Sequence, residues 1–137
     1  MGAILHGHKD VVQLLLGHSE TEIDLNPTTN GGFTAIMLAC KEGDKDIVRL
    51  IIDHSESNID LNARNCLGST ALIFACKYGH KDVVKLLLDN SKRNINLNAR
   101  CNKGWTAFNW AVKTGRKDVV ELLKNQRNFC EKYSKYL

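Results

Sequence analysis

The sequence repeats itself with a step of 36 residues, and this periodicity constrains the fold more than any other feature. The segment GHKDVV at 7–12 returns with small changes from Gly43, Gly79 and Gly115. A second segment, GSTALIFAC from Gly68, has counterparts starting at 32 and 104, and IDLN recurs at the same step. Three motifs in register cannot arise by chance, so the chain must be built from copies of one structural unit.

Each copy predicts a turn followed by two short helices. In the third copy, Gly68 lies in a segment rich in turn-forming residues, and Thr70 offers its hydroxyl as a helix N-cap. Gly79 is expected to end the first helix, and Asp82 lies where a carboxylate favours the start of the second helix. The apolar residues within 83–88 make the second helix too hydrophobic to be stable alone, so neighbouring copies must stack on one another.

The composition agrees with a stacked globular domain. The chain has 137 residues, of which 43% are hydrophobic and 25% charged, so it is not a disordered tail. No apolar run reaches the roughly 18–20 residues needed to span a bilayer, and the first residues lack the features of a signal peptide. The five cysteines are odd in number and scattered, which favours free thiols in a reducing compartment over a disulfide scaffold. We therefore expect an intracellular, cytoplasmic location.

These motifs resemble those of the ankyrin repeat family, whose copies carry a T-P-L-H-x-A signature within a turn and two helices. Here the signature reads T-A-I-M-L-A, T-A-L-I-F-A and T-A-F-N-W-A, and each is followed by G-x-K-D. Alanine replaces the proline, and Met37, Ile73 or Asn109 replaces the histidine that helps to tie neighbouring loops in the family. The resemblance implies an all-α solenoid of stacked helix–turn–helix units whose tips are turns or hairpins.

The resemblance extends over about residues 1–125 and implies a single ankyrin-repeat domain at 1–137. We divide it into an incomplete N-terminal repeat at 1–30, repeats at 31–66 and 67–102, a C-terminal repeat at 103–127, and a capping helix or tail at 128–137. Each copy is longer than the family's period of about 33 residues. The extra residues fall after the second helix, in HSETEID, HSESNID and NSKRNIN, and we expect them to lengthen a polar loop. A function for this insertion is the alternative.

The sequence contains no constellation typical of catalysis or metal binding, so we expect no enzyme activity, no metal and no cofactor. The histidines and the lysine–aspartate pairs recur in columns, meaning sets of residues related by the 36-residue step. Because neighbouring copies stand about 8–10 Å apart, the successive members of one column cannot share a zinc ion or form a disulfide. Cys40 and Cys76 are column mates that we expect to fill the core, whereas Cys66 and Cys101 are expected in exposed turns.

Columns at the turn tips and at the ends of the first helices, most of which vary from copy to copy, indicate where a partner would bind. The resemblance implies contacts at the turn tips and first helices, on the concave face of the solenoid. The candidate partner-binding residues are Phe33, Lys41, Glu42, Arg64, Leu67, Ser69, Lys77, Tyr78, Arg100, Lys103, Trp105 and Lys113. Aromatic and arginine side chains are typical anchors of interfaces, and six basic residues against one glutamate make this face positive.

We therefore predict a non-catalytic protein–protein interaction module, and the positive face favours an acidic protein partner. One alternative is nucleic-acid binding through the same basic face, although the chain has no recognition helix or arginine-rich segment. Another alternative is a structural fragment of a longer ankyrin array with no partner of its own. We expect neither a small-molecule substrate nor a membrane as a partner.

The two ends of the array lead to separate expectations. Aligned by the step, Met1 falls on Met37, inside a first helix, and residues 1–16 keep the apolar character of an internal copy. Such an uncapped repeat predicts self-association through this end, or a chain that is a fragment of a longer array. At the other end, Phe129, Tyr133 and Tyr136 are spaced as one face of an amphipathic helix. We expect residues 128–137 to pack on the last repeat as a cap, with a frayed tail as the alternative.

Overall fold

The computed structural model describes residues 28–54, 59–89 and 95–134, and these residues form six helices and no strand. The helices come in pairs, each pair belonging to one copy of the repeat. They are α1 (Ala35–Glu42), α2 (Lys45–His54), α3 (Ala71–Lys77), α4 (Lys81–Asp89), α5 (Ala107–Lys113) and α6 (Lys117–Ser134).

A threonine starts each first helix, as the sequence predicts. The hydroxyl oxygen of Thr70 accepts a hydrogen bond from the backbone N–H of Ile73 at 3.3 Å, and Thr34 and Thr106 cap α1 and α5 in the same way. Glycine ends the helix: Gly79 has φ 72°, a left-handed conformation that costs other residues energy. A side chain at this position would also collide with Arg116, whose Cδ would lie 2.6 Å from the added Cβ. The capping threonine and the terminal glycine therefore fix the length of each first helix.

The second helices bury one apolar face. In α4, Val83, Val84, Leu87 and Leu88 are buried, while Lys81 and Lys85 are exposed. Asp82 lies in the first turn, where a carboxylate interacts favourably with the positive end of the helix dipole. This confirms the predicted second helix and its start.

The helices stack in two layers. The first helices α1, α3 and α5 pack side by side in chain order, and so do α2, α4 and α6, while each first helix packs on the second helix of its own copy. The core between the layers is continuous and runs from Ile36 and Met37 to Val119 and Leu123. The structure confirms the all-α stack of helix–turn–helix units.

Neighbouring turn tips are tied together by hydrogen bonds, two of which join main-chain groups directly. The N–H of Cys66 donates to the carbonyl of Gly31, and the N–H of Asn102 donates to the carbonyl of Leu67, both at 2.9 Å. The side chain of Asn102 adds a bond from Nδ2 to the carbonyl of Cys66, also at 2.9 Å. These bonds join the loops in a chain that lacks the histidine of the family signature.

At the C-terminal ends of the first helices, away from the turn tips, a histidine ties two copies together. His80 Nε2 donates to the carbonyl of Lys41 at 2.9 Å, and its ring lies against Gly43. A carbonyl in the last turn of α1, which has no partner within its own helix, is thereby satisfied by the next copy.

Several predictions fall wholly or partly outside the described residues. The incomplete repeat at 1–30 is described only from residue 28, and the inserted loops include 55–58 and 90–94, which are not described. At the other end, α6 continues without a break through Ser134, so residues 128–134 extend the second helix of the last repeat. That this segment packs on the repeat as a cap stays a prediction. Among the described helices, none is long and apolar enough to cross a membrane.

Candidate functional site

Aromatic rings and lysines interleave along the first helices and turn tips. At one end, the rings of Phe33 and Phe74 pack at a centroid distance of 5.3 Å, which joins the copies that contain α1 and α3. The ammonium of Lys41, from the last turn of α1, lies over the Phe33 ring at 5.8 Å from its centroid. A cation over the face of an aromatic ring is attracted by the ring quadrupole, so this lysine is held in place.

The same arrangement is denser at the other end. Trp105 and Trp110 pack edge to face at a centroid distance of 4.7 Å, within one copy. The ammonium of Lys77 lies 4.6 Å from the Trp110 centroid and 5.4 Å from that of Tyr78, and it thereby connects the copies of α3 and α5. Lys113 lies over Trp105 at 6.0 Å. Each lysine in the last turn of a first helix is thus oriented by a ring.

We call this surface the lysine–aromatic face. It consists of the half-buried or exposed residues Phe33, Lys41, Lys77, Tyr78, Lys103, Trp105, Trp110 and Lys113. Tyr78 is 38% exposed although it is large and aromatic. Seven of these eight residues were predicted from the sequence, and the structure brings them together on one side of the first helices.

Glu42 and Leu67 are also exposed, at the edges of this face. Leu67, at 59% exposure, is the most exposed of the large hydrophobic side chains in the described chain. It lies at a turn tip, where its carbonyl already accepts the bond from Asn102. Both side chains are accessible to solvent.

The two predicted arginines have a different role from the one expected. Arg64 Nε donates to the carbonyl of Gly68 at 3.0 Å, and its Nη2 donates to the carbonyl of Arg100 in the next copy. Arg100 Nη1 donates to the carbonyl of Gly104 at 2.8 Å. Both guanidinium groups are therefore engaged in closing and tying turns, so they are less available as anchors for a partner.

Ser69 departs from the expectation that it faces solvent. It is only 7% exposed because it closes a turn, where its N–H donates to Asn65 Oδ1 at 2.9 Å and its carbonyl accepts from the N–H of Asn65 at 3.0 Å. Its column mates Phe33 and Trp105 are long enough to reach the surface, but a serine hydroxyl is not. Ser69 therefore contributes to the turn and not to the exposed face.

Trp110 is the member that reasoning from sequence missed. It occupies the column of Leu38 and Phe74, which are buried, so its position suggested a core residue. The available signal was size, because this column grows from leucine to phenylalanine to tryptophan along the chain. An indole exceeds the space that the smaller side chains fill, so Trp110 is half-buried, with its ring packed against Trp105 and its ring nitrogen buried.

The cysteines divide into three environments. Cys40 and Cys76 are buried in the core as predicted, and burial raises the pKa of the Cys76 thiol to about 12. Burial, with a smaller contribution from the nearby Cys76, also raises the pKa of Cys40. Cys66 is exposed in its turn as predicted. Unreactive protonated thiols are expected at the two core positions.

Cys101 was expected to be exposed, but it is buried. It occupies the column of Asn65, whose Oδ1 accepts the N–H groups of Leu67 and Ser69 at 3.0 and 2.9 Å. The thiol of Cys101 lies near the backbone N–H groups of Trp105 and Lys103 and near the indole N–H of Trp110. Burial alone would raise the pKa of Cys101, but these N–H donors favour the thiolate and lower the pKa below its ordinary value. Cys101 thus closes the turn from inside.

The described residues contain no group of three or more histidine, cysteine, aspartate or glutamate side chains placed to hold a metal ion. The lysine–aromatic face itself offers groups suited to contact with another molecule. It combines ammonium donors, ring faces and ring edges on helices that a continuous core holds in place.

Comparison with known proteins assigns the repeats to a family. A family model described as ankyrin repeats, with three copies, matches residues 1–65 and 57–134. No curated protein matches the chain. The two matched segments extend over nearly the whole sequence and follow the same repeats that the described helices form. The chain therefore belongs to the ankyrin repeat family.

Proposed function

We propose that the chain is a non-catalytic protein-interaction module that binds a protein partner on the lysine–aromatic face. Ankyrin repeats are generally protein–protein interaction modules. The observation that carries the proposal is the cluster of Tyr78, Trp105 and Trp110 that remains accessible beside lysine ammonium groups. Aromatic side chains provide large contact area with few rotatable bonds, and they are enriched at the energetic centres of interfaces.

Variation between copies supports the same face. The core columns keep their character, as in Ile47, Val83 and Val119, because packing between copies demands it. In contrast, the column of Tyr78 holds a glutamate in the previous copy and a threonine in the next. Stacking does not require an exposed tyrosine there, so contact with a partner is the better explanation.

The test is a capture experiment with the full chain and two matched charge reversals. Lys77→Glu alters the lysine–aromatic face, while Lys81→Glu makes the same change of charge at the exposed start of α4. We expect proteins captured by the wild type and by Lys81→Glu to be lost with Lys77→Glu and with Tyr78→Ala. For a purified partner, either face substitution should weaken binding at least tenfold. Capture that is indifferent to both face substitutions would contradict the proposal.

Stability measurements separate binding from folding. Lys77→Glu and Tyr78→Ala should leave the unfolding free energy nearly unchanged, because both side chains are partly exposed. Leu87→Ala, at a fully buried position, should instead cost about 2–5 kcal/mol of stability. If the face variants lose as much stability as Leu87→Ala, their binding defects cannot be assigned to the face.

Nucleic-acid binding is the second candidate, because lysines interleaved with aromatic rings also suit a single strand. The rings of Phe33, Trp105 and Trp110 each have an ammonium over them, and bases would have to displace these lysines in order to stack. A labelled oligothymidine should therefore bind weakly. Tight binding would favour nucleic acid over protein if the logarithm of the association constant falls linearly with the logarithm of the salt concentration.

The proposal includes an intracellular, cytoplasmic location. The four cysteines at 40, 66, 76 and 101 are unpaired, as suits a reducing compartment. Self-association through the N-terminal repeat also stays a prediction, because that repeat lies largely outside the described residues.

A further inference from the structure

The lysines in the last turns of the first helices form a column of their own. Lys41, Lys77 and Lys113 occupy the same position in α1, α3 and α5, one per copy. They are conserved within the chain although the columns beside them change, as the sequence Glu42, Tyr78 and Thr114 illustrates. We call these three residues the lysine column.

Building on the proposed function, we propose that the lysine column binds the carboxylates of an acidic, extended peptide segment of the partner. The segment would place aspartate or glutamate at every third position, one for each lysine. The residues between the carboxylates would lie against the aromatic rings of the face.

The ammonium groups are held ready for such a ligand. Each lies within about 6 Å of a ring centroid, the distance range of a cation–π interaction. An ammonium has three N–H groups, and a ring covers it from one side only. N–H groups that point away from the ring can therefore donate to a ligand. Ordering the lysines in advance lowers the entropic cost of ion pairing with a ligand.

Within the described ranges these ammonium groups lie over aromatic rings, and no acidic side chain forms an ion pair with them. The nearby arginines are engaged with backbone carbonyls of Gly68, Arg100 and Gly104. Lys103, which lies 5.8 Å from the Trp110 centroid, adds further positive charge. With Glu42 as the one acidic member of the candidate set, the face carries a net positive charge, which is complementary to a carboxylate-bearing chain.

The spacing of the column selects the register of the ligand. Helices packed side by side stand about 8–10 Å apart, so the backbone positions of successive lysines repeat at roughly that distance. An extended chain advances about 3.3 Å per residue and a polyproline II helix about 3.1 Å, so three residues advance about 9–10 Å. Two residues advance only about 6.6 Å and four about 13 Å. Carboxylates at i, i+3 and i+6 therefore match the three lysines.

The test uses defined peptides on the full chain. One labelled peptide carries glutamate at i, i+3 and i+6 in a background of proline and alanine, and a second has the same composition with glutamates at i, i+2 and i+4. Fluorescence anisotropy at low and moderate salt gives both affinities. We expect the matched register to bind at least tenfold more tightly. Equal binding of both peptides, or no binding of either at about 1 mM, would overturn the proposal.

Two triple variants locate the site. Replacing the lysine column with K41Q/K77Q/K113Q should weaken the matched peptide at least tenfold. The control K45Q/K81Q/K117Q removes the same charge from the first position of each second helix and should retain binding. An equal loss in the control would mean that net charge alone attracts the peptide, which contradicts the proposal. A labelled oligothymidine that binds more tightly than the matched peptide would point to nucleic acid instead.

The outcome can be separated from that of the proposed function. If partner capture is lost with Tyr78→Ala while the peptides show no preference for register, the face binds protein but not in this manner. If capture is also indifferent to Tyr78→Ala and Lys77→Glu, the proposed function itself fails.

Discussion

The copy that contains α3 and α4 and the copy that contains α5 and α6 carry nearly the same motif in different surroundings. In the first of these, Val84 is fully buried because α4 packs against both α2 and α6. Its column mate Val120, on α6, is only half-buried. Cys76 is likewise fully buried, whereas Val112, in the same column, is 54% exposed. Burial in this fold is therefore determined by the neighbouring copies and not by the repeat itself.

Polar residues in the last repeat fit these different surroundings. Asn109 takes the place of the buried Ile73, and Lys124 that of the buried Leu88, and both are exposed. Asn109 also completes a capping box, since its Oδ1 accepts the N–H of Thr106 at 3.0 Å. The polar substitution thus removes an apolar surface and strengthens a helix start at once.

Identical truncations in the two repeats give the largest expected contrast. Val84→Ala should lower the unfolding free energy by about 2–3 kcal/mol, since it removes two buried methyl groups and leaves a cavity. Val120→Ala should cost about 1 kcal/mol or less, because its side chain already meets solvent. Urea unfolding of both variants measures the difference. Equal costs would mean that the position within the stack does not determine the contribution of this column.

The turns before α3 and α5 provide a second contrast, of intermediate size. Asn65→Ala removes the oxygen that accepts two backbone N–H groups and should cost about 1–2 kcal/mol. Cys101→Ala removes a sulfur, which is a weaker acceptor, and should cost less than 1 kcal/mol. Thermal and urea unfolding of the two alanine variants gives the comparison. A larger cost at Cys101 would contradict the parallel between the two turns.

The smallest expected effect is a dependence on pH. Because the pKa of Cys101 is lowered in the folded chain, the unfolded chain binds more protons between that pKa and the ordinary value of about 8.5. The wild type should therefore gain stability relative to Cys101→Ser as the pH rises through this window. Unfolding under reducing conditions at pH 7, 8 and 9 tests this expectation.

The other thiols do not disturb this comparison. The raised pKa values of Cys40 and Cys76 lower stability at high pH, but they do so in both proteins and cancel in the difference. A difference that stays constant or shrinks with pH would show that the N–H donors do not favour the thiolate.

Local rules acting within one copy made much of this fold predictable from sequence. Thr70 as an N-cap, Gly79 at a helix end and Asp82 in a first turn depend only on residues close in the chain, and the structure confirms all three. The periodic recurrence of the motifs then implied the stacking, which the helix contacts confirm.

The features that sequence reasoning missed depend on contacts between copies or on exact side-chain reach. Arg64 bonds to Arg100 across a copy boundary, which no single copy reveals. Ser69 and Trp105 share a column, yet one is buried in its turn and the other reaches the surface. Cys101 is buried because its sulfur substitutes for an asparagine oxygen, a role that its residue type does not suggest.

The main-chain bonds between turn tips have a consequence for how this protein can change over generations. A bond between peptide groups is the same whichever side chain the residue carries, so exchanges at Cys66 or Leu67 need not disturb the joint between copies. Both side chains are exposed, and neither fills the core. Mutations at these two positions can therefore change the exposed surface of the tips without undoing the scaffold, so that the shape of the array and the chemistry of these positions can evolve largely independently.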